Sequence, residues 1–309
     1  MNPYWDTNFF QFFVILFKRV TGQLPLPTLP ADELQLLTLL CISISTVFLG
    51  TFLTLRKMTM LANSLSHTTL LGIVIALLFT LQPHASLTLS PLLLIISSIL
   101  AALLTLLFTE GVRHCFKLQE DAAIGLVFTT FFALGVLLIS LFTRSTHIGI
   151  DIITGNVDAL SRTDLFYACG AALLNSLALF FAFRPWTIAA FDPLFGAATG
   201  LATSRYHYLQ MVLTSLTLVV SIRAIGVLLV LAFLVGPTLI ARHWTKRLHT
   251  LLLLALLISG ALSLLGVALA RHLLSVYNLP VSTGGLITTL MAVCYLGSCL
   301  LNAFRLKTA

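Results

Sequence analysis

The feature that most constrains this chain is a succession of apolar runs, each about long enough to cross a bilayer and each nearly free of charge. The run from Leu34 to Leu55 has no charged residue and is stopped by Arg56 and Lys57. As a helix rising about 1.5 Å per residue, it covers the roughly 30 Å of a hydrocarbon core. Further runs follow at Met58 to Leu81, Ser90 to Thr109, Ala122 to Thr143, Leu165 to Phe183, Tyr206 to Ile222, Ala224 to Ala241, Leu251 to Ala270 and Gly284 to Phe304. Lipid offers the backbone no hydrogen-bond partner, so such runs must satisfy their own N–H and C=O groups as helices. The expected fold is an all-α, polytopic transmembrane helix bundle of about eight to nine spans. The pair flanking Arg223, at roughly 17 residues each, sits at the short limit for spanning.

Composition agrees with this reading. Of the 309 residues, 59% are hydrophobic and 9% charged, and mean hydropathy is +1.05; a soluble domain carries roughly a quarter of its residues as charged. The net charge of +7 therefore needs no nucleic-acid partner. If the runs span, alternate loops share a side. One set holds Arg56, Lys57, Arg113, Lys117, Arg184, Arg205, Arg242, Lys246, Arg247, Arg305 and Lys307, against Arg144, Arg162, Arg223 and Arg271 in the other once the N-terminal Lys18 and Arg19 are left out. The basic set belongs in the cytoplasm, together with the C-terminus. Residues 1–33 read as an N-terminal interfacial segment and loop: Asp6 precedes the apolar stretch Phe9 to Phe17 and Lys18-Arg19 follows it, the reverse of a cleavable signal's charge order. Residues 34–309 read as the transmembrane domain. The five cysteines, Cys41, Cys115, Cys169, Cys294 and Cys299, lack CxxC spacing and read as small packing residues.

Polar groups inside a span are costly, which makes the run Met58 to Leu81 conspicuous. Its first half holds Asn63, Ser64, Ser66, His67, Thr68 and Thr69. Asn63 and His67 lie four residues apart and so share one helix face, where an amide oxygen and an imidazole nitrogen are able to hold a passing cation. The alternative is that His67 ties two helices together by hydrogen bonding. Gly236-Pro237 removes a backbone donor and predicts a helix kink, for packing or for transport. Ser259, Ser263, Gly266 and Ala270 form a small-residue stripe for close helix packing. Between Phe183 and Tyr206, Asp192 followed by Pro193 is a helix start, the carboxylate capping free N–H groups. Gly196 and Gly200 predict a bare face on that short helix, suited to docking against another protein; the alternative is an interfacial connector. Glu110, Glu120 and Asp121 read as ion-paired beside Arg113 and Lys117. Asp151, Asp158 and Asp164, with His147, lie in an extracytoplasmic stretch suited to drawing in cations or, for Asp164, to capping a helix.

The segments LANSLSHTTLLGIVIALL, EDAAIGLVFTTFFALGVLLIS, AFDPLFGAATGL, AIGVLLVLAFLVGPTLIARHWTKRL and NLPVSTGG, in this order, resemble the membrane subunit of zinc, manganese and iron ABC importers. The resemblance runs from about Leu34 to the C-terminus. It implies a permease that pairs with a second permease chain, the same or related, binds a cytoplasmic ATP-binding subunit and receives its ion from an extracytoplasmic metal-binding protein. It also implies that Phe191 to Leu201, with Phe191, Asp192, Pro193, Gly196 and Gly200, is the helix that couples to the ATPase. The family places an acidic residue four positions before the histidine of its second helix and uses both as metal ligands. His67 matches; the acidic position is Asn63 here, so a dication loses one compensating charge.

The function expected on these grounds is a permease subunit of an ATP-binding-cassette importer moving a divalent transition metal (manganese, zinc or iron) across the bacterial inner membrane. The metal is substrate, and no cofactor resides in this chain. It is not an enzyme: no GxxxxGK[ST] occurs, so ATP is hydrolysed on a partner. An intramembrane enzyme is disfavoured by the lack of HExxH, paired intramembrane aspartates or a nucleophile motif. The remaining alternative is an ion-gradient-driven carrier of metal or small solutes without an ATPase.

Overall fold

The computed structural model describes residues 3–5, 7–24, 29–80, 91–143 and 155–308. Among them, every apolar run is a helix. The elements are α1 (Phe9–Val20), α2 (Ala31–Leu55), α3 (Thr59–Thr80), α4 (Pro91–Phe116), α5 (Glu120–Thr143), a 3-10 turn (Val157–Ala159), α6 (Arg162–Phe191), α7 (Pro193–Ala198), α8 (Thr203–Ile225), α9 (Val227–Arg242), α10 (Leu248–Tyr277) and α11 (Thr283–Thr308). Among the described residues seven helices are long and apolar enough to span: α2, α4, α5, α6, α8, α10 and α11. The two other expected runs are helices as well, the 22-residue α3 and the shorter, 16-residue α9.

Two boundaries differ from the sequence expectation. The break after Tyr206 to Ile222 falls at Gly226, not at Arg223, which lies inside the last turn of α8. Gly226 has φ +82° and ψ 161°, a conformation that excludes a side chain, so the glycine and not the charge decides where the helix stops. The span begun at Leu165 does not end at Phe183. It runs on to Phe191 with Pro185 inside it, at the cost of one backbone hydrogen bond to the carbonyl four residues earlier.

The helices form two compact units. The first comprises Met1–Thr51, Asn156–Ser176 and Ala224–Ala309. Within it α9, α10 and α11 pack together, and α2 joins them through its small residues. At Gly50 a Cβ would stand 1.9 Å from the carbonyl oxygen of Leu234, so the backbones of α2 and α9 touch. One residue later, the Thr51 and Thr238 hydroxyls meet at 3.1 Å. The stripe Ser259, Ser263, Gly266 and Ala270 is buried as expected, and Ile287 of α11 fills the space that Gly266 leaves. Close approach of this kind is what holds helices together where lipid removes the hydrophobic driving force.

The outer ends of this unit are tied by polar contacts. In the first turn of α2, Asp32 pairs with Arg271 of α10, whose Nε stands 2.8 Å from the carboxylate. The neighbouring Glu33 accepts from Arg19 at 2.6 and 2.8 Å and from the Tyr4 phenol at 2.8 Å, pinning α1 to α2. Burial, and then the bond to Glu33, push the Tyr4 phenol well above its ordinary pKa, so it remains a donor. On α1 itself, Phe10, Val14, Phe17 and Val20 are exposed. Asp158 accepts from Gln35 at 3.0 Å and from Thr283, and Asp164 forms a capping box with Ser161, whose N–H lies 3.0 Å from the carboxylate. Both acids serve internal bonds here; His147 and Asp151 lie outside the described residues.

The second unit comprises Phe52–Gly155 and Leu177–Arg223. Its centre is the trio α3, α4 and α5. At Gly72 of α3 a Cβ would stand 2.6 Å from the Ser97 carbonyl oxygen of α4. Phe52 packs edge-on to Phe183 and tilted against Trp186, with centroids 6.2 and 5.7 Å away. Glu110 is paired as expected, with His114 at 2.8 Å and Arg113 at 3.5 Å. The cysteines depart from their expectation. Cys115, Cys169 and Cys294 are exposed, while Cys41 and Cys169, both in the first unit, are free thiols that share a hydrogen bond at 3.3 Å between their sulfurs.

Candidate functional site

The polar half of α3 divides into residues that satisfy themselves and residues that do not. A serine or threonine in a helix can return its hydroxyl to a carbonyl three or four residues back. Ser66 does so to Asn63 at 2.7 Å, and Thr68 to Leu65 at 3.2 Å. Asn63 and His67 have chemistry that the helix backbone does not absorb. From Leu61 to Thr68 every residue is buried except these two, which are half-buried along one face of the helix. Met60, also exposed, continues that face towards the start of the helix.

The imidazole of His67 rests against two rings of α5, Phe128 at 5.5 Å and Phe132 at 5.6 Å between centroids. These rings brace its edge without offering a hydrogen bond, and no hydrogen bond to His67 is found among the described residues. The reading of His67 as polar glue between helices therefore gains no partner among the described residues of this unit. Among the described residues no three His, Cys, Asp or Glu side chains converge on one point. Asn63 and His67 thus present one amide and one imidazole on an open strip, a donor set that needs further ligands from elsewhere to enclose an ion.

The segment joining α6 to α8 is the second element of interest. The Asp192 carboxylate accepts the N–H of Phe195 at 2.9 Å and Pro193 takes the first helical position, so α7 starts where the sequence places it. The glycines act differently from expectation. Gly196 is buried: a Cβ there would lie 2.7 Å from Thr203 Cγ2 and 3.1 Å from Ile188 Cγ2, so the missing side chain lets α7 fold down on its own stems. Gly200 lies beyond the helix in a left-handed turn, φ +80°. The face left open carries Phe191, Leu194 and Phe195, exposed to 63%, 81% and 56%. The sequence signal for that face is the apolar Phe191, Leu194 and Phe195 flanking the Asp192 cap, but which side it lay on depended on the stems. They are held together in turn, because buried Trp186 of α6 donates its indole N–H to the carbonyl of Tyr206 in α8 at 3.0 Å.

Gly236 and Pro237 lie in α9, which continues through the proline to Arg242. A Cβ at Gly236 would strike the Met291 sulfur at 2.2 Å, so this glycine admits α11 closely, while buried Pro237 leaves the carbonyl of Phe233 without its helical donor.

Comparison with known proteins gives these features a common setting. The family model described as the ABC 3 transport family matches residues 34–302. The chain is 36% identical over 305 residues to a membrane protein of Chlamydia pneumoniae assigned to a metal transport system, covering 98% of this chain and 93% of that one. It is 34% identical over 267 residues to the manganese transport system membrane protein MntD of Bacillus subtilis, covering 82% and 86%. The solved structure of PsaBC from Streptococcus pneumoniae in complex with a Fab superposes with a TM-score of 0.70 at 27% identity, over 85% of this chain and 89% of that one. An apolar helix bundle, an Asp-capped turn between two spans and a family match over nearly the whole transmembrane region lead to one assignment: the chain belongs to the ABC 3 transport family.

Proposed function

We propose that this chain is the permease subunit of an ABC importer for divalent transition metals in the bacterial inner membrane, with ATP hydrolysed on a separate subunit. Membership in the family and the manganese and metal transport systems of its relatives support the reading. The observation that carries the coupling is an apolar face made by Leu194 and Phe195 of the short, Asp192-capped α7 and by Phe191, the last residue of α6, all uncovered at the basic, cytoplasmic end of two spans. A groove on the ATP-binding subunit is its natural cover. Phe191, Asp192, Pro193, Gly196 and Gly200 then form the coupling segment: Asp192 and Pro193 start the helix, Gly196 seats it and Gly200 turns the chain back.

Metal passes along the strip that Asn63 and His67 present on α3. The imidazole supplies a nitrogen lone pair and Asn63 an uncharged oxygen, and a second permease chain, the same or related, contributes the remaining ligands. With no carboxylate at position 63, this half of the site holds a dication loosely, which favours release over retention. An extracytoplasmic metal-binding protein delivers the ion, and the kink residues Gly236 and Pro237 lend α9 a place to bend as the path opens. A carrier driven by an ion gradient would need no partner at α7.

The test is uptake of radiolabelled manganese, zinc or iron together with purification of the complex. His67→Ala should abolish uptake and leave the ATP-binding subunit bound, whereas Leu194→Glu should release that subunit. Undiminished uptake by His67→Ala removes the ion path, and an ATP-binding chain that never co-purifies removes the importer.

A further inference from the structure

We infer that His243, Cys299 and Tyr295 form a second metal site, distinct from the α3 strip, that takes a single divalent ion of the nitrogen- and sulfur-preferring kind, zinc above all. His243 ends α9, while Tyr295, Cys299 and Asn302 lie four and three residues apart on one face of α11. Nε2 of His243 is 3.5 Å from Cys299 Sγ. A zinc ion with bonds of about 2.3 Å to sulfur and about 2.05 Å to nitrogen at a tetrahedral angle holds those two atoms about 3.5–3.6 Å apart. The side chains therefore need no displacement to admit it. The Tyr295 ring lies 5.9 Å from that of His243 between centroids and one helical turn before Cys299, which brings a phenol to the same side of α11 as the pair.

The supporting contacts suit a ligand. The other imidazole nitrogen, Nδ1, stands 3.3 Å from the Asn302 carboxamide. A half-turn of the amide exchanges its nitrogen and oxygen in nearly the same place, so Oδ1 accepts from Nδ1–H and leaves the Nε2 lone pair facing the sulfur. Next to these groups is a recess of about 10 Å³, lined by His243, Trp244, Ser298, Leu301 and Asn302, which is the space of one water molecule. His243, Tyr295, Cys299 and Asn302 are each half-buried, shielded from bulk solvent yet reachable. Two protein ligands and a phenol leave a fourth position for water, the pattern of an open rather than a sealed site. Binding releases the thiol proton, and the ion replaces the proton that Nε2 otherwise shares with sulfur. Arg242, Lys246 and Arg247 mark this end as cytoplasmic, so the site fills from the compartment that receives the cargo. Sulfur and imidazole select zinc or cobalt over manganese, which prefers oxygen.

The experiment titrates Co²⁺ into the full chain in lipid nanodiscs. One equivalent should produce a thiolate-to-cobalt charge-transfer band with the ligand-field bands of a four-coordinate ion, and Zn²⁺ should abolish both. Cys299→Ser should lose the charge-transfer band and His243→Gln the four-coordinate bands. Asn302→Leu should weaken binding by about 10- to 100-fold. Cys294→Ser on the same helix and His67→Ala should keep all bands, the latter separating this site from the α3 strip. A band that survives Cys299→Ser, or its absence from the native chain, overturns the inference. Should a variant fail to fold, the native chain still decides: Zn²⁺ should shield Cys299 but not Cys294 from maleimide, and equal labelling with and without Zn²⁺ overturns the site.

Discussion

The indole N–H of Trp186 donates to the backbone carbonyl of Tyr206 at 3.0 Å, closing the base of the α6–α7–α8 turn. A force applied to α7 therefore reaches both stems together. Trp186→Phe keeps most of the ring that packs on Phe52 and removes only the donor. It should lower stability by about 1 kcal/mol, read as a reduced Tm in detergent. It should also lower metal transported per ATP hydrolysed while the ATP-binding subunit stays bound. Unchanged coupling would mean that the tie serves folding alone.

The cap at Asp192 gives a graded series. Asp192→Ala leaves the Phe195 N–H without its acceptor and should destabilise the short α7 by about 0.5–2 kcal/mol. Asp192→Asn retains a capping oxygen and should bind the ATP-binding subunit nearly as the native chain does. Co-purification yields across the three proteins check the order.

At position 63 the change restores charge. Asn63→Asp adds a carboxylate one turn before His67 and should tighten binding of manganese or zinc to the isolated permease in equilibrium dialysis, while slowing release. An unchanged affinity would take Asn63 out of the ion path.

The Asp32–Arg271 pair is nearly enclosed, Asp32 being 3% exposed. Arg271→Met removes the ion-pair partner of that carboxylate and should destabilise the first unit by about 3–5 kcal/mol. The double variant Asp32→Leu/Arg271→Met should recover most of the loss. Chemical unfolding of Arg271→Met, the single Asp32→Leu and the double variant forms the cycle with the native chain, and additive losses would show that the pair is not coupled.

Gly50 offers a test of packing without chemistry. With the Leu234 carbonyl where a Cβ would be, Gly50→Ala cannot be accommodated unless α2 moves off α9. Gly111→Ala, at a helix position with nothing within 4 Å, should be silent. Yields of folded protein by size exclusion distinguish them.

Much of this protein is decided by its sequence read locally. Charge-free runs of about 20 residues can only be helices in lipid, so each expected span is a helix, and Asp192-Pro193 starts α7 because a cap needs nothing beyond its own turn. The stripe from Ser259 to Ala270 likewise announces a buried face before its neighbour is known. What the tertiary structure decided is which face meets what. Gly196 turns inward because Thr203 and Ile188 occupy the space that a Cβ would fill, and Asp158 serves Thr283, 125 residues away, in place of the solvent. His243 and Cys299 meet across 56 residues because α9 and α11 pack side by side. Hydropathy and capping are properties of a single segment, whereas the partner of a side chain is set by close packing between segments whose spacing along the chain carries no signal of their contact.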